Sequence, residues 1–215
     1  MDPALFVRAN TAIAAPALVP EIRLHLAAEV TPIWQATEES LARGHVPPPF
    51  WAFAWAGGQA LARYLLDRPD IVAGREVFDY GSGSGLVAIA AAIAGAASVT
   101  AAEIDHFAAA AITANAALND VAVAVVMSDP LDAVAGDWPV VTAGDICYEQ
   151  PMTDRSISWL RRLARRGALV LLGDPGRAYL PTAGLQELAR YRVPTSLELE
   201  DRELRDGVVW QVLPE

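Results

Sequence analysis

The sequence predicts an α/β fold, a mainly parallel sheet covered by helices on both faces and closed by an antiparallel last strand. Three observations lead there. Short apolar segments alternate with helical ones from residue 57 onward. Those apolar segments lack the polar-apolar alternation of half-exposed strands. The last two strand-like segments are joined by a connection too short for a parallel crossover. In 215 residues, 53% of them hydrophobic, one sizeable core can be buried, so a single main domain is expected.

The first division falls at Pro47-Pro48-Pro49, where three prolines remove backbone donors and end a helix expected over residues 33–42. Residues 1–49 are therefore expected to form a helical extension or lid, and residues 50–215 the main domain. A helix over 59–67 leads to a strand at 76–80, a glycine loop and an apolar helix at 86–94. A second strand at 98–103 and an Ala-rich helix at 107–118 follow, then strands at 121–127 and 140–144. A helix at 153–166 and a fifth strand at 168–173 continue the alternation. After a helix near 185–191, the strand-like residues 197–200 and 208–212 are expected to pair as a hairpin through Asp206-Gly207.

Composition removes several function classes. All sixteen basic residues are Arg, so a Walker-type phosphate loop and a pyridoxal Schiff base both lack their lysine. A formal net charge of −10 argues against a nucleic-acid partner, and the cluster Arg161, Arg162, Arg165 and Arg166 reads as a solvated helix face. Three histidines, His25, His45 and His106, show no metal-ligand spacing, so no metal is expected. The single Cys147 cannot form an internal disulfide, which suits a reducing cytoplasm. The longest apolar run, residues 86–97, is too short for a membrane span, and a soluble protein is expected.

Chemistry concentrates at the expected strand ends. The loop Asp79-Tyr80-Gly81-Ser82-Gly83-Ser84-Gly85 joins strand to helix, where glycines let the backbone approach a ligand and helix N–H groups meet a negative group; a tight turn alone would also use them. Glu103 closes the second strand where a carboxylate would accept both hydroxyls of a nucleotide ribose, an arrangement shared with nicotinamide-binding domains. Ser128 and Asp129 end the third strand as candidate adenine contacts, with a turn or capping role beside Pro130 equally open for Asp129. Gly144-Asp145-Ile146-Cys147-Tyr148-Glu149 places two carboxylates and a phenol after an apolar strand, at the ligand-binding edge of such sheets; a cap for the next helix is the alternative for Asp145 or Glu149. Cys147, with no histidine near it in sequence, reads as a small buried residue. The aromatics Phe50, Trp51, Phe53 and Trp55 are core candidates, or the wall of a ligand channel.

Together these residues resemble the lysine methyltransferases of the electron-transfer-flavoprotein β subunit. The resemblance is carried by Pro20-Glu21-Ile22-Arg23-Leu24, by Trp51 and Trp55 before Gly57-Gly58-Gln59, by Asp79 with its glycine loop, by residues 144–149, and by Gly173-Asp174-Pro175-Gly176-Arg177. It implies a Rossmann-like, seven-stranded class I methyltransferase sheet using S-adenosylmethionine. It implies cofactor contacts from Trp55, Gly81, Gly83, Glu103 and Gly144; Asp79, Ser82, Ser128 and Asp129 are further candidates from their own places at the strand ends, Ser128-Asp129 standing where the family more usually has an amide or aromatic adenine contact. Asp145 and Tyr148 would be the branch's Asp-x-x-Tyr motif beside the methyl group, assisted by Glu149. Trp51, Asp174 and Arg177 would face the protein substrate, the flavoprotein β subunit. For Asp174 and Arg177, an internal ion pair that stiffens the turn is the alternative. Methylation of another protein, such as a ribosomal protein, and nicotinamide-dependent oxidation also stay open.

Overall fold

A computed structural model describes residues 1–28, 31, 33, 47–132, 136–195 and 203–214. Its main sheet has seven strands: β3 (Glu76–Tyr80), β4 (Ser98–Glu103), β5 (Ala124–Met127), β6 (Val140–Gly144), β7 (Leu169–Asp174), β8 (Leu185–Pro194) and β9 (Leu204–Val212). They lie in the order β5-β4-β3-β6-β7-β9-β8. The first five are parallel, and β9 runs antiparallel to both β7 and β8. This is the expected sheet, antiparallel closure included. A small separate sheet pairs β1 (Ala12–Ala14) with β2 (Leu24–Leu26).

Helices cover both faces because the central strands present apolar side chains to both. On one side α2 (Ala56–Asp67) and α3 (Leu86–Ile93) pack Ala60, Leu61, Leu65, Ala88 and Ala91 against Val77, Val140, Leu171 and Val209. Helix α3 is apolar nearly all round and correspondingly buried. On the other side α5 (Met152–Arg165) sets Ile157, Trp159, Leu160 and Leu163 onto Phe78, Val141, Val170 and Leu172. Its arginines 162 and 165 are exposed with Arg166 beyond them, while the half-buried Arg161 donates to the Ala183 carbonyl at 2.7 Å.

The first 28 residues share this core. Helix α1 (Pro3–Asn10) places Val7 with Trp51 and with Phe107 and Ala111 of α4 (His106–Leu118). Val19, Ile22 and Leu24 join Leu86, Ile89 and Ala116. Asn115, wholly buried on α4, accepts the His25 N–H at 2.7 Å and donates to the Ser84 carbonyl at 2.8 Å, so one amide ties β2 to the glycine loop. Apart from Ile33, the helix expected over 33–42 lies outside the described residues.

One expectation is corrected. Residues 185–191 form the start of strand β8 and not a helix. Leu, Gln, Glu, Ala and Arg favour a helix intrinsically, but pairing with β9 along its whole length and burial of Val193 outweigh a propensity of a few tenths of a kcal/mol per residue. The hairpin thus forms from β8 and β9, and residues 197–200 lie outside the described residues.

Helix α2 crosses the sheet at backbone contact. A Cβ on Gly57 would stand 2.4 Å from the Gly173 carbonyl oxygen, and one on Gly173 would stand 2.2 Å from that of Gly57. Gly207 meets the same helix, with a Cβ falling 2.6 Å from Ala60 Cβ. Gly173→Ala is expected to cost about 1–3 kcal/mol or more in chemical denaturation, because the obstacle is backbone. Unchanged stability would mean that the helix can move off the sheet at little cost.

Candidate active site

The strand order reverses at β3 and β6, and at the carboxyl ends of these strands opens a cavity of about 360 Å³. Its floor is Tyr80, Gly81, Gly83 and Gly144, and its sides are Glu103, Ser128, Asp129, Asp145, Tyr148 and Arg177. Pro47, Pro48, Phe50, Trp51 and Trp55 form an aromatic and proline wall.

The glycine loop turns because Gly81, Gly83 and Gly85 all have positive φ. Glu103 holds the loop, one oxygen accepting the Gly83 N–H at 2.9 Å and the other the Ile104 N–H at 2.8 Å. Asp79 lies beneath, fully enclosed, accepting the Ser82 hydroxyl at 2.5 Å and the Thr142 hydroxyl at 2.7 Å. Asp79 and Ser82 border only a smaller adjoining cavity of about 50 Å³. Their observed work is internal: Asp79 joins β3, β6 and the loop. Ser128 and Asp129 reach the main cavity, and Asp129 also caps its own turn, accepting the Leu131 N–H at 3.0 Å.

Asp145 is the best-held carboxylate of the site. It has φ +56°, unusual for a residue with a Cβ. One oxygen accepts the Gly58 N–H at 2.6 Å, and the other accepts Arg177 Nε at 3.0 Å and Nη2 at 2.6 Å. The Arg177 guanidinium also lies 5.3 Å from the centroid of Trp55, whose indole N–H donates to the Phe50 carbonyl at 2.8 Å. Tyr148 is 48% exposed and packs against Phe50 with ring centroids 5.6 Å apart; partial burial pushes its phenol above the ordinary value.

Two expected site residues stand elsewhere. Glu149 is exposed and off the cavity wall, and its carbonyl oxygen accepts the Thr153 hydroxyl at 2.7 Å. The chain turns after Tyr148 to begin α5, which carries the Glu149 side chain to solvent. Asp174 is wholly buried, and one of its oxygens accepts the Gly176 and Arg177 N–H groups, both at 2.7 Å. It builds the turn from inside and has no exposed surface. Arg177 pairs with Asp145 in place of the Asp174 partner considered from sequence. Trp51 is buried but lines the cavity. Cys147 is fully buried, and burial first, then Asp174, push its thiol well above the ordinary range, which suits packing and not nucleophilic attack.

Sequence reasoning missed the Gly58 N–H, Thr142, Asn115 and the pairing of Arg177 with Asp145. Only Gly57-Gly58-Gln59 offered a signal, a glycine pair at a helix start.

Comparison with known proteins decides the family. The electron transfer flavoprotein beta subunit lysine methyltransferase of Xenopus laevis is 38% identical over 225 residues, covering 99% of this chain and 87% of that protein. The protein of that name from Homo sapiens is 34% identical over 223 residues, covering 100% and 84%. The chain belongs to the electron transfer flavoprotein beta subunit lysine methyltransferase family.

Residues 59–146 of the methyltransferase also match the family described as Ribosomal protein L11 methyltransferase (PrmA). In fold it resembles magnesium protoporphyrin IX methyltransferase from Synechocystis PCC 6803 with bound SAM, at a TM-score of 0.52 and 18% identity over 70% of this chain and 76% of that one. The lining fits the S-adenosylmethionine bound in that neighbour: glycines of positive φ at a helix start, the Glu103 carboxylate on the cavity side, and an aromatic wall.

Asp79 makes a prediction here. Burial raises its carboxyl from the ordinary 3.8 to about 6, against the hydroxyl donors that lower it. A raised folded-state value stabilises the protein below the unfolded value and is lost as pH rises through about 6. The denaturation midpoint of Asp79→Asn should therefore fall less than that of the parental protein between about pH 4 and 6. Parallel curves would show that Asp79 ionises normally.

Proposed function

We propose that this enzyme transfers methyl groups from S-adenosylmethionine to lysine side chains of an electron transfer flavoprotein β subunit. The observation that carries the reading is the placement of Asp145 and Tyr148 on one cavity with Glu103 and the glycine loop. The family name of the full-length relatives supports the choice of acceptor. The family model of ribosomal protein L11 methyltransferases matches residues 59–146 and so stops before Tyr148 and Arg177.

In this reading the Glu103 carboxylate accepts the ribose hydroxyls, the Gly81–Gly83 backbone and Gly144 bear on the methionine half, and Trp55 flanks it. Ser128 and Asp129 stand toward the adenine. Bound there, the cofactor supplies a methyl group on a positively charged sulfur. Asp145 and Tyr148 orient the incoming lysine, with Trp51 and Phe50 beside its path. An amine attack of this kind needs alignment more than a covalent catalyst. A lysine with pKa near 10.4 is neutral only about once in a few thousand at pH 7, so the site must favour the free amine.

Residues 1–49 act as an extension of the 50–215 domain, and its end at Pro47 and Pro48 roofs the cavity. The strongly negative net charge suits a lysine-bearing protein partner and not a nucleic acid. A lone buried thiol accords with a reducing compartment, the bacterial cytoplasm in this proposal.

Labelled S-adenosylmethionine added to a lysate of the source organism should label the flavoprotein β subunit on lysine, as read by mass spectrometry. Label on a ribosomal protein alone would overturn the substrate. Glu103→Ala should weaken cofactor affinity by about 1–3 kcal/mol in calorimetry, since two hydroxyls lose their acceptor. Parental affinity would remove Glu103 from the cofactor site.

A further inference from the structure

Among the described residues, four carboxylates and one guanidinium line the cavity. Glu103 ends β4 and Asp105 follows it, Asp129 follows β5, Asp145 follows β6, and Arg177 follows β7. Tyr80 on the floor and Tyr148 on the wall are the remaining titratable groups among the described lining residues, and α4, α5 and the 47–55 segment add none. Asp79 borders the adjoining cavity, and Asp174 and Cys147 are buried below. Arg177 places two hydrogen bonds on one oxygen of Asp145, from Nε at 3.0 Å and from Nη2 at 2.6 Å. Only 16% of the Arg177 side chain and 8% of the Asp145 side chain are exposed, so water screens the pair little.

This pairing bears on the protonation of an amine. A bare carboxylate beside an entering lysine stabilises the ammonium, which has no lone pair with which to attack. A carboxylate already neutralised by a guanidinium still accepts a hydrogen bond, yet holds the ammonium far less strongly. The same guanidinium repels a second cation.

We propose that Arg177 is a positioning residue that neutralises Asp145 and so lets the acceptor lysine occupy the site as the free amine. This rests on the assignment of Asp145 to the acceptor side under the proposed function. The lysine ammonium releases one proton to solvent. Its lone pair then forms the new N–C bond as the methyl C–S bond breaks, leaving a methylated ammonium and a neutral thioether. Gly58 and Trp55 hold the pair in register, the first through its N–H to Asp145 and the second beneath the guanidinium.

The test is the pH profile of turnover at saturating cofactor for Arg177→Gln, Arg177→Lys and Asp145→Asn, with acceptor KM measured alongside. In Arg177→Gln the ascending limb should move up by roughly one to two pH units, with KM unchanged or lower and the rate deficit closing at high pH. Arg177→Lys, which keeps the charge, should retain the parental limb. Adding Asp145→Asn to Arg177→Gln should move the limb back down. A deficit of equal size at every pH, or a limb displaced as far in Arg177→Lys, would overturn the proposal. A parental limb in Arg177→Gln with Asp145→Asn impaired would sink this proposal alone. Parental turnover in Asp145→Asn would sink the acceptor assignment, and this proposal with it.

Discussion

The backbone contact between Gly57 and Gly173 decides where everything else in the site can stand. Two facing glycines, neither with room for a methyl group, bring the start of α2 onto β7 and β6. Gly144 shares in it, since a Cβ there would stand 3.1 Å from Gly58 Cα. Only at that distance does the Gly58 N–H reach Asp145, which adds the favourable end of the helix dipole to a direct hydrogen bond. A larger residue at either glycine would lift the helix and withdraw a donor from a nearly buried carboxylate, and an orphaned buried charge is costly.

The acids of the molecule divide by what satisfies them. Asp79 and Asp174 are enclosed, held by hydroxyls and turn N–H groups, and burial raises both carboxyls to about 6. They shape the loop ends. Glu103 and Asp145 are held by backbone donors and Arg177 yet open on the cavity. This division separates carboxylates that build the site from those that can meet a ligand, a distinction that residue type alone does not carry.

The same economy of backbone contacts joins the N-terminal residues to the cofactor side. Asn115 links β2 to the glycine loop, and Trp51 joins the core cluster of Val7 and Phe107 while lining the cavity. The aromatic wall is thus anchored in the core, so the groups that align the reacting atoms rest on packed elements.

The sequence by itself determined the parallel strands, the antiparallel closure and the glycine loop, because buried strands read as apolar runs and a tight strand-to-helix turn demands glycine. It also pointed to Glu103, Asp145 and Tyr148, polar residues stranded at the ends of such runs. Residues 185–191 read as helix because local propensity was the only signal there, and pairing with β9 supplied the term that reversed it. Glu149 and Asp174 carried the right chemistry in the right segments, but a turn of the backbone sent one to solvent and the other inward. The Asp145 hub was decided by the tertiary structure alone. Its partners lie 87 and 32 residues away in sequence, and no local pattern records which distant donor the folded sheet will bring within 3 Å.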